Sequence, residues 1–275
     1  MSGKRNKRIG IFDSGFGGLH IMRAIVRALP QYDYVYLGDS ARAPYGDRTQ
    51  ETIHAFTKQA INFLFKRDCE LVIIACNTAA SDALRKIQQE YLPKRAPGKK
   101  VLGVLTPAAE EAAQKTRNKR VDIIATEGTV KSKKFIRELA KLNPKIKVFQ
   151  QACPLLVPLV EAGEQHSPEM GTILKRYLHP LLKKKIDTLI LGCTHYGILE
   201  KRIRDIVGPD IALISEAKIV PQKLAAYLAR HRDLEARLGK RGSVRFFSTD
   251  RTDNFRRLGS TFFGWPIRVE KAILE

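Results

Sequence analysis

No stretch of this sequence holds eighteen consecutive apolar residues, so it carries no readable membrane-spanning helix. The basic segment 4–8 leads into Ile9–Phe12, but Asp13 ends that run far short of a signal-peptide core. A cytosolic location and no membrane partner are the expectation. Cysteine is also scarce: Cys69, Cys76, Cys153 and Cys193 stand far apart, without a CxxC pair. That spacing argues against a disulfide framework. It also argues against a zinc site, whose ligands usually come in close pairs, and no metal is expected. Aromatic residues make up 8% of the chain and do not interleave with the basic runs as they do in single-strand nucleic-acid binders. Negative charge is sparse, with 28 Asp and Glu against 49 Lys and Arg, a net +21. Such a surplus invites a nucleic-acid partner. It is dealt out, however, over segments 4–8, 94–100, 115–120, 131–134, 183–185 and 251–257, several of which read as helix ends or loops. A generally basic surface is expected, and nucleic acid is not expected as a primary partner.

What is present is a chain of 275 residues, 44% apolar, enough for one large or two smaller domains with real cores. Short apolar, β-branched runs alternate with amphipathic stretches, the pattern of a parallel α/β fold. Strands are expected at 8–12, 34–38, 71–75, 101–105, 121–125, 147–150, 188–192, 211–214 and 244–248. Ile53, Phe56, Ala60, Ile61, Leu64 and Phe65 share one helical face. Further helices are expected at 19–28, 79–91, 130–142, 170–182 and 221–230, with Pro221 in the first turn of the last. The segment 92–100, with two prolines, a glycine and basic residues, reads as an inter-domain connection. A second crossing point is expected near 208–211.

Ligands of parallel α/β sheets bind outside the carboxyl ends of the strands, and four polar motifs fall at such ends. Asp13-Ser14-Gly15-Phe16-Gly17-Gly18 follows the first strand and precedes a helix. Its glycines turn tightly and its backbone N–H groups suit a small carboxylate. The spacing is not that of a dinucleotide fingerprint, and Asp13 as a simple turn or cap residue is the plainer alternative. After the second strand comes Gly38-Asp39-Ser40, then Pro44-Tyr45-Gly46, which by itself reads as a turn. The last two motifs echo each other: an apolar strand, a small residue, cysteine, then polar residues opening a helix. They are Ala75-Cys76-Asn77-Thr78-Ala79 and Gly192-Cys193-Thr194-His195-Tyr196. A cysteine at a helix start sits in a field that favours thiolate. His195 is placed to exchange a proton with Cys193, and Asn77, Thr78 and Thr194 offer donors to a bound carboxylate. Cys69 and Cys153 keep the default of small buried hydrophobes. One thiol with a histidine suits acyl chemistry, as in a thiol hydrolase. Two thiols facing one carbon suit proton removal on one side and delivery on the other, which inverts a stereocentre.

Together these residues resemble the glutamate racemases of the cofactor-independent aspartate/glutamate racemase superfamily. The resemblance runs from Ile9 to Leu19, then through Pro44-Tyr45-Gly46, Ala75–Ala79, Ala125–Thr129 and Cys153–Glu161 to Leu189–Tyr196. It implies two pseudo-symmetric α/β domains with mainly parallel sheets flanked by helices and the active site in the cleft between them. The first would comprise residues 1–98 with 211–275, and the second residues 99–210. It implies interconversion of L- and D-glutamate without pyridoxal or any other cofactor, supplying D-glutamate for peptidoglycan. Cys76 and Cys193 become the acid/base thiols, Asp13 the auxiliary acid near Cys76, and Glu161 and His195 the auxiliary pair near Cys193. Asp13, Ser14, Pro44, Tyr45, Gly46, Asn77, Thr78, Thr194 and His195 would line the glutamate site. A homodimer and a contact with DNA gyrase are further partners the resemblance suggests. An aspartate-specific racemase is the neighbouring alternative. One departure is Gly197, where the family usually has proline, which would loosen the start of the helix beside Cys193.

Overall fold

A computed structural model describes residues 7–275; the start of the basic segment 4–8 lies outside the described residues. Among the described residues ten strands form two sheets, and every pairing within them is parallel. The first sheet contains β1 (Arg8–Asp13), β2 (Tyr34–Gly38), β3 (Cys69–Ile74), β4 (Lys100–Gly103), β9 (Val244–Ser248) and β10 (Val269–Lys271). Its order is β10-β9-β2-β1-β3-β4. The second contains β5 (Arg120–Ala125), β6 (Lys147–Ala152), β7 (Thr188–Gly192) and β8 (Ala212–Ile214), in the order β6-β5-β7-β8. The central strands are buried along nearly their whole length, as expected when helices cover both faces of a parallel sheet.

The two orders are related. Reading β2-β1-β3-β4 beside β6-β5-β7-β8 gives the same topology, with β5 in the place of β1 and β7 in the place of β3. In each sheet the chain steps from the founding strand to one neighbour and then back across to the other. That reversal makes the crevice where ligands of open α/β sheets bind. The fold is thus two α/β domains repeated on one plan.

The expected strands are present, with ends differing by one or two residues, and the short edge strand β10 is additional. Sheet membership changes after β4 and again after β8, a few residues beyond the crossing points expected at 98/99 and 210/211. The expected connection 92–100 begins with a helical turn, Leu92–Arg95, in which Pro93 occupies a first-turn position and breaks nothing. The helix expected at 79–91 is interrupted: α3 (Asn77–Asp82) follows α1 (Gly18–Ala28) and α2 (Gln50–Lys66), and a wide π turn spans Ile87–Tyr91. The helix expected at 130–142 breaks at Lys133, whose φ is 52°. Pro221 lies inside a helix, Glu216–Arg230, not in its first turn, because the helix begins five residues earlier.

One buried cluster runs from Ile9, Ile11 and Leu19 through Ile124 and Leu156 to Leu189, Tyr196 and Leu224, drawing on both sheets. The two domains therefore share packed core, and their relative position is set by close-packed side chains. Among the described residues no helix is long and apolar enough to cross a membrane.

Candidate active site

The ends of β1, β2, β3, β5, β6 and β7 meet around a cavity of about 240 Å³. That is below the roughly 300–1,000 Å³ typical of sites for drug-sized ligands, and it suits a small substrate. Cys76 lies two residues beyond β3 and Cys193 directly beyond β7, at the same ends of equivalent strands in the two domains, and both thiols line the cavity. Ser14, Pro44, Tyr45, Gly46, Asn77, Thr78, Glu161, Thr194 and His195 line it with them. Asp13 is fully buried at the end of β1, beneath the loop that carries Ser14.

The glycine loop after β1 holds a carboxylate, but the carboxylate is its own. Asp13 Oδ2 accepts a hydrogen bond from the Gly15 N–H at 3.0 Å. The loop's donors are thus partly occupied, which corrects the expectation of an open anion site there. The loop is also pressed against the second domain. A Cβ added at Gly17 would lie 2.5 Å from Thr194 Oγ1 and 2.7 Å from His195 Nδ1. Glycine is required at that position by close approach.

Around Cys76, Ser14 Oγ donates to Sγ at 3.4 Å, and the thiol caps α3 by accepting from the Ala79 N–H at 3.5 Å. Around Cys193, His195 Nδ1 stands 3.9 Å from Sγ, and His195 Nε2 is 3.1 Å from Glu161 Oε1. Phe16 and Phe262 pack edge-on against the imidazole and hold its plane. The histidine and glutamate inferred for this side are therefore linked to the thiol in a row. Tyr45 is held by a 2.5 Å hydrogen bond to Asp39 Oδ2, and Asp39 also receives Arg42 and Thr249.

The electrostatics correct one expectation. Burial pushes the Cys76 thiol up to about 12, with the nearby Asp13 carboxylate adding to the effect. Burial raises Cys193 well above the ordinary thiol value, helped by Cys76 and Asp13. The helix field is outweighed because α3 has six residues and Cys193 opens only a short 3₁₀ helix, Thr194–Leu199. Both thiols are neutral at rest. Burial also raises Asp13, against the pull of His195.

Several cavity-lining positions escaped the sequence reading. Asp47, Thr126, Glu127, Cys153, Pro154, Val157 and Pro158 also line the cavity. Thr126 and Glu127 stand directly after β5 as Ser14 and Gly15 stand after β1; Cys153 and Pro154 follow β6 on the strand equivalent to β2. Applying the Cys76/Cys193 echo to the remaining strands would have found them. Thr78 Oγ1 lies 3.0 Å from Thr126 Oγ1 and 3.3 Å from Thr129 Oγ1, a hydroxyl cluster joining the domains. Glu216 is buried behind Asn77 with Oε1 lacking a partner, and burial raises it to about 8. Gly197 also has a structural reason: a Cβ there would meet His20 Cδ2 at 2.6 Å. In this chain the His20 ring fills the space beside the turn.

No Lys or Arg lines the cavity among the described residues, while Asp47, Glu127 and Glu161 do, so the donors available to a bound anion are hydroxyls, the Asn77 amide and backbone N–H groups at the starts of α3 and the helix Glu127–Ser132. Such neutral, fixed donors stabilise charge as it develops on a substrate carboxylate.

Comparison with known proteins agrees with this geometry. Residues 9–222 match the model of the family described as Asp/Glu/Hydantoin racemase. The chain is 38% identical over 259 residues to a glutamate racemase of Geobacter metallireducens, covering 94% of this chain and 93% of the relative. It superimposes with a TM-score of 0.89 and 34% identity on a glutamate racemase isoform from Bacillus anthracis, covering 98% of each chain. A Francisella tularensis glutamate racemase solved with D-glutamate gives 0.88 and 33%, again covering 98% of each chain. On sequence and fold alike, this chain belongs to the Asp/Glu/Hydantoin racemase family.

Proposed function

We propose that this chain is a glutamate racemase that exchanges the α-proton between two thiols, supplying D-glutamate for peptidoglycan. The observation that carries this reading is the presence of Cys76 and Cys193 on one small cavity, at equivalent strand ends of two repeated domains. A single nucleophile with a histidine would leave Cys76 without a purpose. The substrate assignment is supported by the glutamate racemases to which the chain is similar over nearly its whole length.

In the reaction, one cysteine acts as thiolate and takes the Cα proton; the opposite thiol gives its S–H proton to the other face of the carbon. Each thiol disfavours ionisation of the other, which suits one base and one acid at a time. Asp13 and Ser14 serve the Cys76 side, with the Ser14 hydroxyl stabilising the thiolate as it forms. On the Cys193 side His195 accepts the thiol proton at Nδ1 while Glu161 steadies Nε2. Negative charge then flows onto the substrate carboxylate, held by Asn77, Thr78, Thr194 and backbone donors without an electron-sink cofactor. A cytoplasmic location, a homodimer and a DNA gyrase contact belong to the same proposal, supported by the family resemblance.

The test is racemisation of each glutamate enantiomer in deuterated water. Solvent deuterium should enter the α-carbon of the product from either direction, and aspartate should turn over poorly. Equal rapid exchange into unreacted substrate would indicate a single base. Racemisation retained after Cys76→Ala or Cys193→Ala would sink the two-thiol assignment.

A further inference from the structure

Basic segments that lie apart in the sequence come together in the fold. β5, β6 and β7 are neighbours, and their N-terminal ends bring 117–120, Lys145 with Lys147, and 183–185 to one pole of the second sheet. The joins are direct. The Lys147 N–H donates to the Lys119 carbonyl at 2.8 Å, the Asn118 side chain to the Lys185 carbonyl at 2.8 Å, and Arg120 Nε to the Lys184 carbonyl at 2.6 Å. Asp187 lies in their midst, but its oxygens are taken by the Thr116 and Thr188 hydroxyls and the N–H groups of Arg117 and Asn118. Asp210 stands exposed just before β8. Nearby ion pairs, Lys115 with Glu111 and Lys141 with Glu138, sit on flanking helices. They leave Lys119, Lys145, Lys147, Lys183 and Lys185 exposed and, among the described residues, without a carboxylate partner.

We propose that this pole is a docking surface for an anionic phospholipid bilayer. Lysine outnumbers arginine there, and lysine is a point charge suited to diffuse attraction, whereas arginine is the residue of bidentate phosphate recognition. The Phe149 ring is covered by Arg120 at 5.1 Å and Lys184 at 4.8 Å, so it offers no platform for a nucleic-acid base. Leu142, by contrast, is 47% exposed at the end of the helix Lys134–Leu142, just ahead of Lys145. An apolar side chain beside a lysine cluster fits the headgroup boundary of a charged membrane. The catalytic cavity lies at the other end of the strands, about 20 Å away along the six residues of β5, so docking leaves it uncovered. The lack of a membrane-spanning helix does not bear on this surface, since adsorption requires none.

The test is co-sedimentation of the full chain with vesicles of phosphatidylglycerol and phosphatidylcholine, against phosphatidylcholine alone. The protein should bind only the anionic vesicles and be released by salt. Lys145→Gln, Lys147→Gln and Lys183→Gln should each weaken binding about fivefold, and together roughly a hundredfold, with racemase activity unchanged. These positions avoid Lys119 and Lys185, whose backbone φ is positive. Three exposed lysines elsewhere, Lys58, Lys201 and Lys271, supply the control set, and their conversion to Gln should weaken binding far less. Failure to bind anionic vesicles, or equal losses from the two sets, would overturn the proposal. So would displacement from vesicles by duplex DNA at matched phosphate concentration, which would assign the pole to nucleic acid.

Discussion

The contact between Gly17 and the turn after Cys193 gives a sharp test of how the cleft is held. In Gly17→Ala the new methyl must gain room from 2.5 to at least 3.4 Å against Thr194 Oγ1, a displacement of about 0.9 Å, and slightly less against His195 Nδ1. Neither partner is the loose end of an exposed chain: both are buried, and His195 packs edge-on against Phe16 and Phe262. The shift therefore passes to the backbone that carries Cys193. A misplacement of about 1 Å at a reacting group costs on the order of a hundredfold in rate, so kcat should fall by about that factor. Overpacking by one methyl costs about 1–3 kcal/mol, which in a chain of this size lowers Tm by about 2–4 °C per kcal/mol. Because the substrates are mirror images with an equilibrium constant of one, kcat/KM must drop equally in both directions. Circular dichroism at a glutamate band measures turnover, and calorimetry measures Tm. Gly15→Ala is the internal control, since its Cβ would meet only Glu161 Oε1, at 4.0 Å, and both readouts should stay near wild type. Wild-type turnover and an unshifted Tm in Gly17→Ala would show that this contact does not position the catalytic turn.

Three further outcomes follow from the same structure. Gly197→Ala should cost about 1–3 kcal/mol by collision with His20, and adding His20→Ala should restore part of the lost Tm; a double variant no better than the single one would refute the pairing. Glu216 stays protonated in the fold up to about pH 8 but ionises in the unfolded chain near its ordinary value of 4.5. The folded state therefore holds the extra proton between those values, and stability falls as pH rises through that window. Glu216→Gln should accordingly gain Tm over wild type at pH 8 more than at pH 4.5, and a pH-independent difference would contradict the buried proton. Tyr45→Phe removes the short hydrogen bond to buried Asp39 and should cost about 1–3 kcal/mol in denaturant unfolding, with no loss indicating that Arg42 and Thr249 suffice.

Much of the architecture could be read from the chain because buried parallel strands are written as unbroken apolar runs, as in Leu71–Ile74 and Leu189–Leu191. The two thiols were readable for the same reason, since each ends such a run. Helix interruptions were less visible: nothing local distinguishes Lys133 from its basic neighbours, and its left-handed backbone closes the helix Glu127–Ser132 by donating its N–H to the Val130 carbonyl. Protonation was misread because a dipole can be inferred from sequence order, while the burial that overrides it depends on the domain that closes over the cleft. Cys153 looked inert by composition; its place beside the cavity follows from the repeat of topology, not from its own neighbours. The basic pole was hidden because its members are separated by strands and helices, so the linear spread of charge concealed a spatial concentration.

The burial of both thiols also bears on how the protein survives in a cell. Peroxides and electrophiles attack thiolates, and sulfenic and sulfinic acids form most readily where a cysteine is ionised and reachable. Both sulfurs line the cavity and are reachable, but burial holds them protonated, so the first condition is unmet. In the proposed two-thiol exchange a thiolate is formed only during turnover. Reactivity and protection thus share one cause, the burial that holds both sulfurs protonated.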